Sequence, residues 1–160
     1  KLQFFDPEIN EHYTPFVVET SVGLDRLFLA IFSASLKNET LEDGSERTVL
    51  SLPPSLAPYK VAVMPLTRKD GLPEKAKEII DELKFDFTCT YDDKDSIGRR
   101  YRRQDAIGTP IHLTVDHQTL EDNTVTIRDR DSMQQERVKI AHLHDIIEDK
   151  VSLKKLLKQG

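Results

Sequence analysis

The sequence predicts an α/β fold in which a mixed five-stranded sheet is flanked by helices and preceded by a short strand-helix segment. Between Tyr59 and Val115, apolar strand-like runs alternate with single helical repeats, which implies parallel βαβ units with right-handed crossovers. Further on, Thr124-Val-Thr-Ile-Arg128 and Gln134-Gln-Glu-Arg-Val-Lys-Ile140 alternate apolar and polar positions around Asp129 to Met133, the pattern of an antiparallel hairpin. Upstream, Pro53, Pro54 and Pro58 cannot sit in a helix or a central strand. A boundary is expected there, with one region over residues 1–50, a Pro-rich linker over 51–58 and a domain over 59–160.

Phe16 to Thr20 reads as a short strand that turns at Gly23 into a helix, where Leu24, Leu27, Phe28, Ile31 and Ala34 recur at helical spacing. Burial of each larger side chain stabilises by roughly 1.5–3 kcal/mol. The stripe is therefore expected to pack on the second domain or on another copy, or to be poorly ordered. The polar stretch Lys37 to Arg47 reads as a loop or exposed turn, and Lys60 to Leu66 as an apolar strand. Pro73 opens a helix whose Ala76, Ile79, Ile80 and Leu83 share one face. Phe85 to Tyr91 is a second strand, Ser96 caps a helix running to Ile107 and closed by Gly108, and Pro110 to Val115 is a third strand. A helix from His142 to Asp149 and a short basic one near Leu153 to Leu157 complete the domain.

With 160 residues the chain holds one ordinary domain plus part of another, and the absence of an initiator Met at Lys1 suggests a fragment. The net charge of −5 means that any nucleic-acid binding must come from a local patch. The lone Cys89 excludes an internal disulfide, and no run is apolar enough to span a bilayer or serve as a signal peptide. A soluble, cytoplasmic protein is expected, without a membrane partner. His12, His112, His117, His142 and His144 form no metal-ligand pattern.

Two constellations carry chemistry. At the first helix entrance, Gly23, Asp25 and Arg26 would direct backbone N–H groups and a guanidinium at an anion, while Glu19 and Ser21 leave the preceding strand on one side. The bland alternative is an Asp25–Arg26 surface pair worth roughly 0–1 kcal/mol. On the helix 96–107, Arg99, Arg100, Arg102 and Arg103 crowd around Tyr101 and Asp105. Such a patch can neutralise phosphates or stack on bases, unless Asp92, Asp93 and Asp95 pair with it internally.

Glu19-Thr-Ser-Val-Gly-Leu-Asp-Arg26 resembles motif 3 of class II aminoacyl-tRNA synthetases, in the form found in glycyl-tRNA synthetases of the single-chain, homodimeric type. The resemblance continues in Leu52 to Pro58, Ser96 to Pro110 and Thr124 to Asp131, and weakens after about Leu143. It implies the class II synthetase anticodon-binding domain for residues 59–160 and the C-terminal end of the catalytic domain, including motif 3, for residues 1–50. The implied activity is glycine–tRNA ligation: glycine is activated with ATP and Mg²⁺, then transferred to the glycine tRNA. By resemblance, Glu19 and Ser21 contact glycine, Gly23 and Asp25 serve ATP binding, and Arg26 contacts ATP phosphate as the catalytic arginine. Arg99, Arg100, Arg103, Asp105, Arg128 and Arg130 fall in segments that meet the anticodon, while Asp116 and Thr119 shape the same surface. The parent would be a homodimer, and this part alone is expected neither to aminoacylate nor to hold ATP or Mg²⁺.

Two rivals remain. One is a non-catalytic, synthetase-like nucleic-acid-binding accessory protein, which need not keep Glu19, Ser21 and Arg26. The other is a small-molecule-binding α/β domain.

Overall fold

The computed structural model describes residues 2–158. They divide into two compact units, one through Ala30 and one from Ile31 onward.

In the first unit, β1 (Phe4–Asp6) and β2 (Glu11–Tyr13) form a small antiparallel hairpin. Cross-strand aromatic contacts hold it, with Phe4 and Tyr13 at 5.8 Å and Phe5 and His12 at 4.9 Å between ring centroids. The strand expected over Phe16 to Thr20 is not formed. Residues 14–23 lack regular structure, and Phe16, Val17 and Val18 lie in solvent. A lone strand has no ladder to satisfy its backbone groups, and no described segment pairs with this one.

Helix α1 (Leu24–Ser35) forms as its periodicity predicts. Its Leu24, Leu27 and Phe28 are exposed within this chain.

In the second unit, the end of α1 is followed by a hairpin rather than a loop. Strands β3 (Leu36–Thr40) and β4 (Glu46–Leu50) pair antiparallel from Leu36↔Leu50 to Thr40↔Glu46. Only the tip, Leu41 to Ser45, is a turn: Asp43 accepts hydrogen bonds from Ser45, and Gly44 takes the left-handed conformation. Compactness therefore divides the chain at Ala30/Ile31, which groups the hairpin with the sheet domain downstream of residues 51–58.

The remaining elements build the expected mixed sheet. They are β5 (Val61–Pro65), α2 (Leu72–Leu83), β6 (Cys89–Tyr91), α3 (Ile97–Ile107), β7 (Ile111–Val115), α4 (His117–Asp122), β8 (Thr124–Asp129), β9 (Gln135–Lys139), α5 (Leu143–Val151) and α6 (Leu153–Leu157). The strand order is β6-β5-β7-β8-β9, with β5 parallel to β6 and β7, and antiparallel pairing from β7 through β9. The second strand is shorter than expected, because Phe87 N–H still bonds to the Leu83 carbonyl and residues 84–87 complete the end of α2. Helix α4 is an addition to the expected elements. Its signal is the capping box in which Asp116 accepts from Thr119 N–H and Thr119 Oγ1 accepts from Asp116 N–H.

Alternation along the strands gives the sheet two different faces. Val61, Val63, Ile111, Leu113, Val115, Val125 and Ile127 pack against Leu72, Ala76, Ile79 and Leu83 of α2 and Leu143, Ile147 and Val151 of α5. The other face carries His112, Thr114 and Arg128, and α3 lies on it: Tyr101 Oη is 2.7 Å from Thr114 Oγ1 and its ring stacks on His112 at 5.6 Å. Among the described residues no helix is long and apolar enough to cross a membrane.

Candidate nucleic-acid interface

The arginines singled out from the sequence separate into two sets. Asp105 is fully buried on α3 and accepts two bonds from Arg128, from Nη1 at 2.9 Å and from Nη2 at 3.1 Å. A third comes from Arg47 Nη1 of β4 at 3.2 Å. Arg128 also lies 4.8 Å over the Tyr101 ring and donates to His112 Nδ1 at 2.8 Å. His112 in turn donates from Nε2 to the Thr109 carbonyl, which fixes a neutral ring. Burial, opposed by Asp105 and assisted by Arg128, pushes the His112 imidazole down to about 4.

Arg130, only 1% exposed, spends its guanidinium on the carbonyls of Leu50, Gly108 and Leu52 and on Asp131. Arg100 is buried on the carbonyls of Pro65 at 2.5 Å, Asp95 at 2.7 Å and Lys94 at 3.2 Å. Of the groups expected at the anticodon, Arg100, Asp105, Arg128 and Arg130 are buried and hydrogen-bonded within the fold, although Arg100 also lines an open crevice. Asp116 is likewise structural, capping α4 and holding Arg137 at 2.5 Å, and that pairing keeps its carboxyl below the usual range.

Arg103 and Arg99 behave differently. Arg103 is bound by the carboxylates of Asp92 at 2.9 Å and Asp95 at 2.8 Å, with its side chain 42% exposed. Arg99 is more open still and reaches Asp95 only at 3.9 Å. The Arg103 hydrogen bond holds Asp95 below the usual carboxylate range. Arg103 Nη2 also donates to the Lys94 carbonyl at 2.6 Å, and the pairs with Asp95 lie at the surface, where ion pairs contribute little.

They border an open crevice of about 810 Å³ lined by Thr67, Arg68, Lys69, Asp93, Lys94, Asp95 and Arg100. It sits between the loops that leave the carboxyl ends of β5 and β6, where open α/β sheets bind ligands. Arg68 is steadied by the Asp93 carbonyl at 2.8 Å yet its side chain stays 59% exposed. Arg68, Lys69 and Lys94 carry no signal in the sequence, because the crevice joins loops some 25 residues apart. A second cavity, about 550 Å³ between β8, β9 and α5, has an apolar floor of Ile111, Ile127 and Ile146 and a rim holding the Lys150–Asp129 ion pair.

In the first unit, Glu19, Ser21, Gly23, Asp25 and Arg26 all lie exposed along residues 19–26. The Gly23 carbonyl accepts from Leu27 N–H at 3.0 Å and starts α1. Among the described residues no ion pair joins Asp25 to Arg26.

Comparison with known proteins agrees with this geometry. A family model described as "Anticodon binding domain" matches residues 60–150. The chain is similar to glycine–tRNA ligases, with 48% identity over 150 residues to that of Clostridium kluyveri and 50% over 150 residues to that of Clostridium tetani. Each alignment covers 94% of this chain and 32% of the relative, so the chain spans about a third of the length of the curated relatives it matches. Among solved structures, prolyl-tRNA synthetase from Cryptosporidium parvum, complexed with L-proline and AMP, shares the fold. The TM-score is 0.59 at 18% identity, over 76% of this chain and 32% of that one. With more than half of its length matched by that model, and with the mixed sheet the match requires, the chain belongs to the anticodon-binding-domain family.

Proposed function

We propose that this chain is the tRNA-reading part of a glycine–tRNA ligase, which activates glycine with ATP and transfers it to the 3′ end of its tRNA in the cytoplasm. One observation carries the reading: the open crevice lined by Arg68, Lys69, Lys94 and Arg100, with Arg99 and Arg103 on the adjoining helix paired to its Asp95, in a chain whose net charge is −5. Single-stranded RNA loops are recognised by cations on the backbone and by groups that meet splayed bases, and an open crevice between flexible cations suits them better than an enclosed pocket. The similarity to glycine–tRNA ligases supplies the amino acid.

In the parent, a homodimer, Glu19 and Ser21 would hold glycine. Gly23 would let ATP approach, and Arg26 would offset phosphate charge with its planar, permanently cationic fork. Catalysis there rests on positioning and charge neutralisation. Among the described residues no group of three His, Cys, Asp or Glu side chains is placed to hold a metal ion, so Mg²⁺ is given no ligand here.

The test is a gel-shift titration of this chain against glycine tRNA and an anticodon-swapped version. Selective binding that weakens in Arg68→Glu/Lys69→Glu, with a shallower salt dependence, is the expected result. Equal affinity for both RNAs, or no effect of the double substitution, would sink it.

A further inference from the structure

We propose that Arg47 is a positioning residue, a latch that holds the β3–β4 hairpin in one place on the charged face of the five-stranded sheet. The hairpin comes directly after the Glu19–Arg26 motif and α1 in the chain. In sequence it therefore lies between the part that would handle glycine and ATP and the sheet that would read tRNA. This role rests on the ligase reading above.

The contact is unusual in its chemistry. Only Arg47, Val49 and Leu50 of β4 are buried, so the hairpin docks with a guanidinium at its centre rather than a broad apolar face. Arg47 is 3% exposed and uses every nitrogen. Nε and Nη2 meet Glu39 across the hairpin at 2.8 and 2.6 Å, which stiffens the hairpin itself. Nη1 reaches Asp105 of α3 at 3.2 Å and the Arg130 carbonyl at 2.9 Å, and Nη2 also reaches the Asp131 carbonyl at 3.3 Å.

From the opposite side, Arg130 returns the connection by donating to the carbonyls of Leu50 and Leu52. Gly108 closes the gap. It adopts φ +87, and a Cβ there would lie 2.9 Å from the Leu50 carbonyl oxygen.

Burying charges in this way adds little stability compared with apolar side chains of similar volume; what directed charge-assisted bonds supply is a single geometry. A hairpin that needed only to be covered would be served by leucine. One whose register and angle matter is served by a fork that fits two carboxylates and two carbonyls at once.

Asp105 makes the test clean, because it keeps its two bonds to Arg128 when Arg47 is replaced. The variants are Arg47→Met and Arg47→Lys, in this chain and in the full-length parent. In the chain, amide exchange over Glu46–Leu50 should accelerate in Arg47→Met while Val61–Pro65 and Ile111–Val115 stay protected. In the parent, glycine-dependent ATP–pyrophosphate exchange and tRNA affinity should match wild type. The kcat for charging should fall about tenfold to a hundredfold, the scale of a small misplacement. Arg47→Lys, which keeps the charge without the fork, should fall between.

Unchanged charging or unchanged amide exchange in Arg47→Met overturns the latch. So does a parallel loss of tRNA affinity, exchange and kcat in both variants, which would mark a merely structural residue. A wild-type parent that charges no tRNA with glycine overturns the ligase reading and the coupling built on it. The amide-exchange result then decides the hairpin docking separately.

Discussion

Arg100 and Arg103 lie three residues apart on α3, one turn of one helix, and do opposite things. Arg100 is surrounded by main-chain carbonyls that no ligand can replace, and so are Arg130 and, in part, Arg47 around Asp105. Arg103 is held at the surface by the carboxylates of half-buried Asp92 and exposed Asp95 and by the Lys94 carbonyl at 2.6 Å. The difference teaches that composition does not tell a structural arginine from a binding one. Burial does: Arg100 is 3% exposed among its carbonyls, whereas the Arg103 side chain stays 42% exposed although it too reaches a main-chain carbonyl, that of Lys94.

Breaking the buried side should have the largest effect. Asp105→Ala removes the shared acceptor of Arg47 and Arg128 and strands two buried cations, so chemical denaturation should show a loss of about 3–5 kcal/mol. A stability equal to wild type would show that the cluster does not need its carboxylate.

The pH dependence is next. His112 titrates near 4 in the folded protein and near 6.5 when unfolded. The unfolded chain therefore binds the proton first as pH falls. The neutral His112 contributes its full stability above about pH 6.5, and this share is lost progressively until about pH 4, on the order of 3 kcal/mol in all. A His112→Gln variant should show a flatter stability profile across that window, and identical slopes would refute the assignment.

The exposed side predicts the smallest change in stability and a change elsewhere. Arg103→Ala should leave the denaturation midpoint close to wild type, since its ion pairs lie at the surface. Its salt dependence of tRNA binding should become shallower by about one unit of slope. Binding that is unaffected across salt concentrations would place Arg103 with the structural set and erase the contrast.

Much of the fold was legible in the chain. Strands β5 and β7, helices α2 and α3 and the β8–β9 hairpin arise from local periodicity, and Gly108 closes α3 with φ +87 as its position predicts. Other elements were not legible, for identifiable reasons. Leu36 to Leu50 carries few apolar residues because Arg47 docks it, so it reads as a loop while folding as a hairpin. Phe16 to Val18 has strand composition, yet composition cannot supply the neighbouring strand that a ladder requires.

The site divides in the same way. The sequence alone determined the order of helices and strands, since each records the side-chain period of its own residues. It also determined that positive charge concentrates on one helix of an acidic chain. Only the tertiary structure decided which of those charges are free to act. Arg47 meets Asp105 across 58 positions and Arg130 meets Leu50 across 80. The chemistry of a guanidinium is set by the oxygen beside it, and folding brings that oxygen from far along the chain.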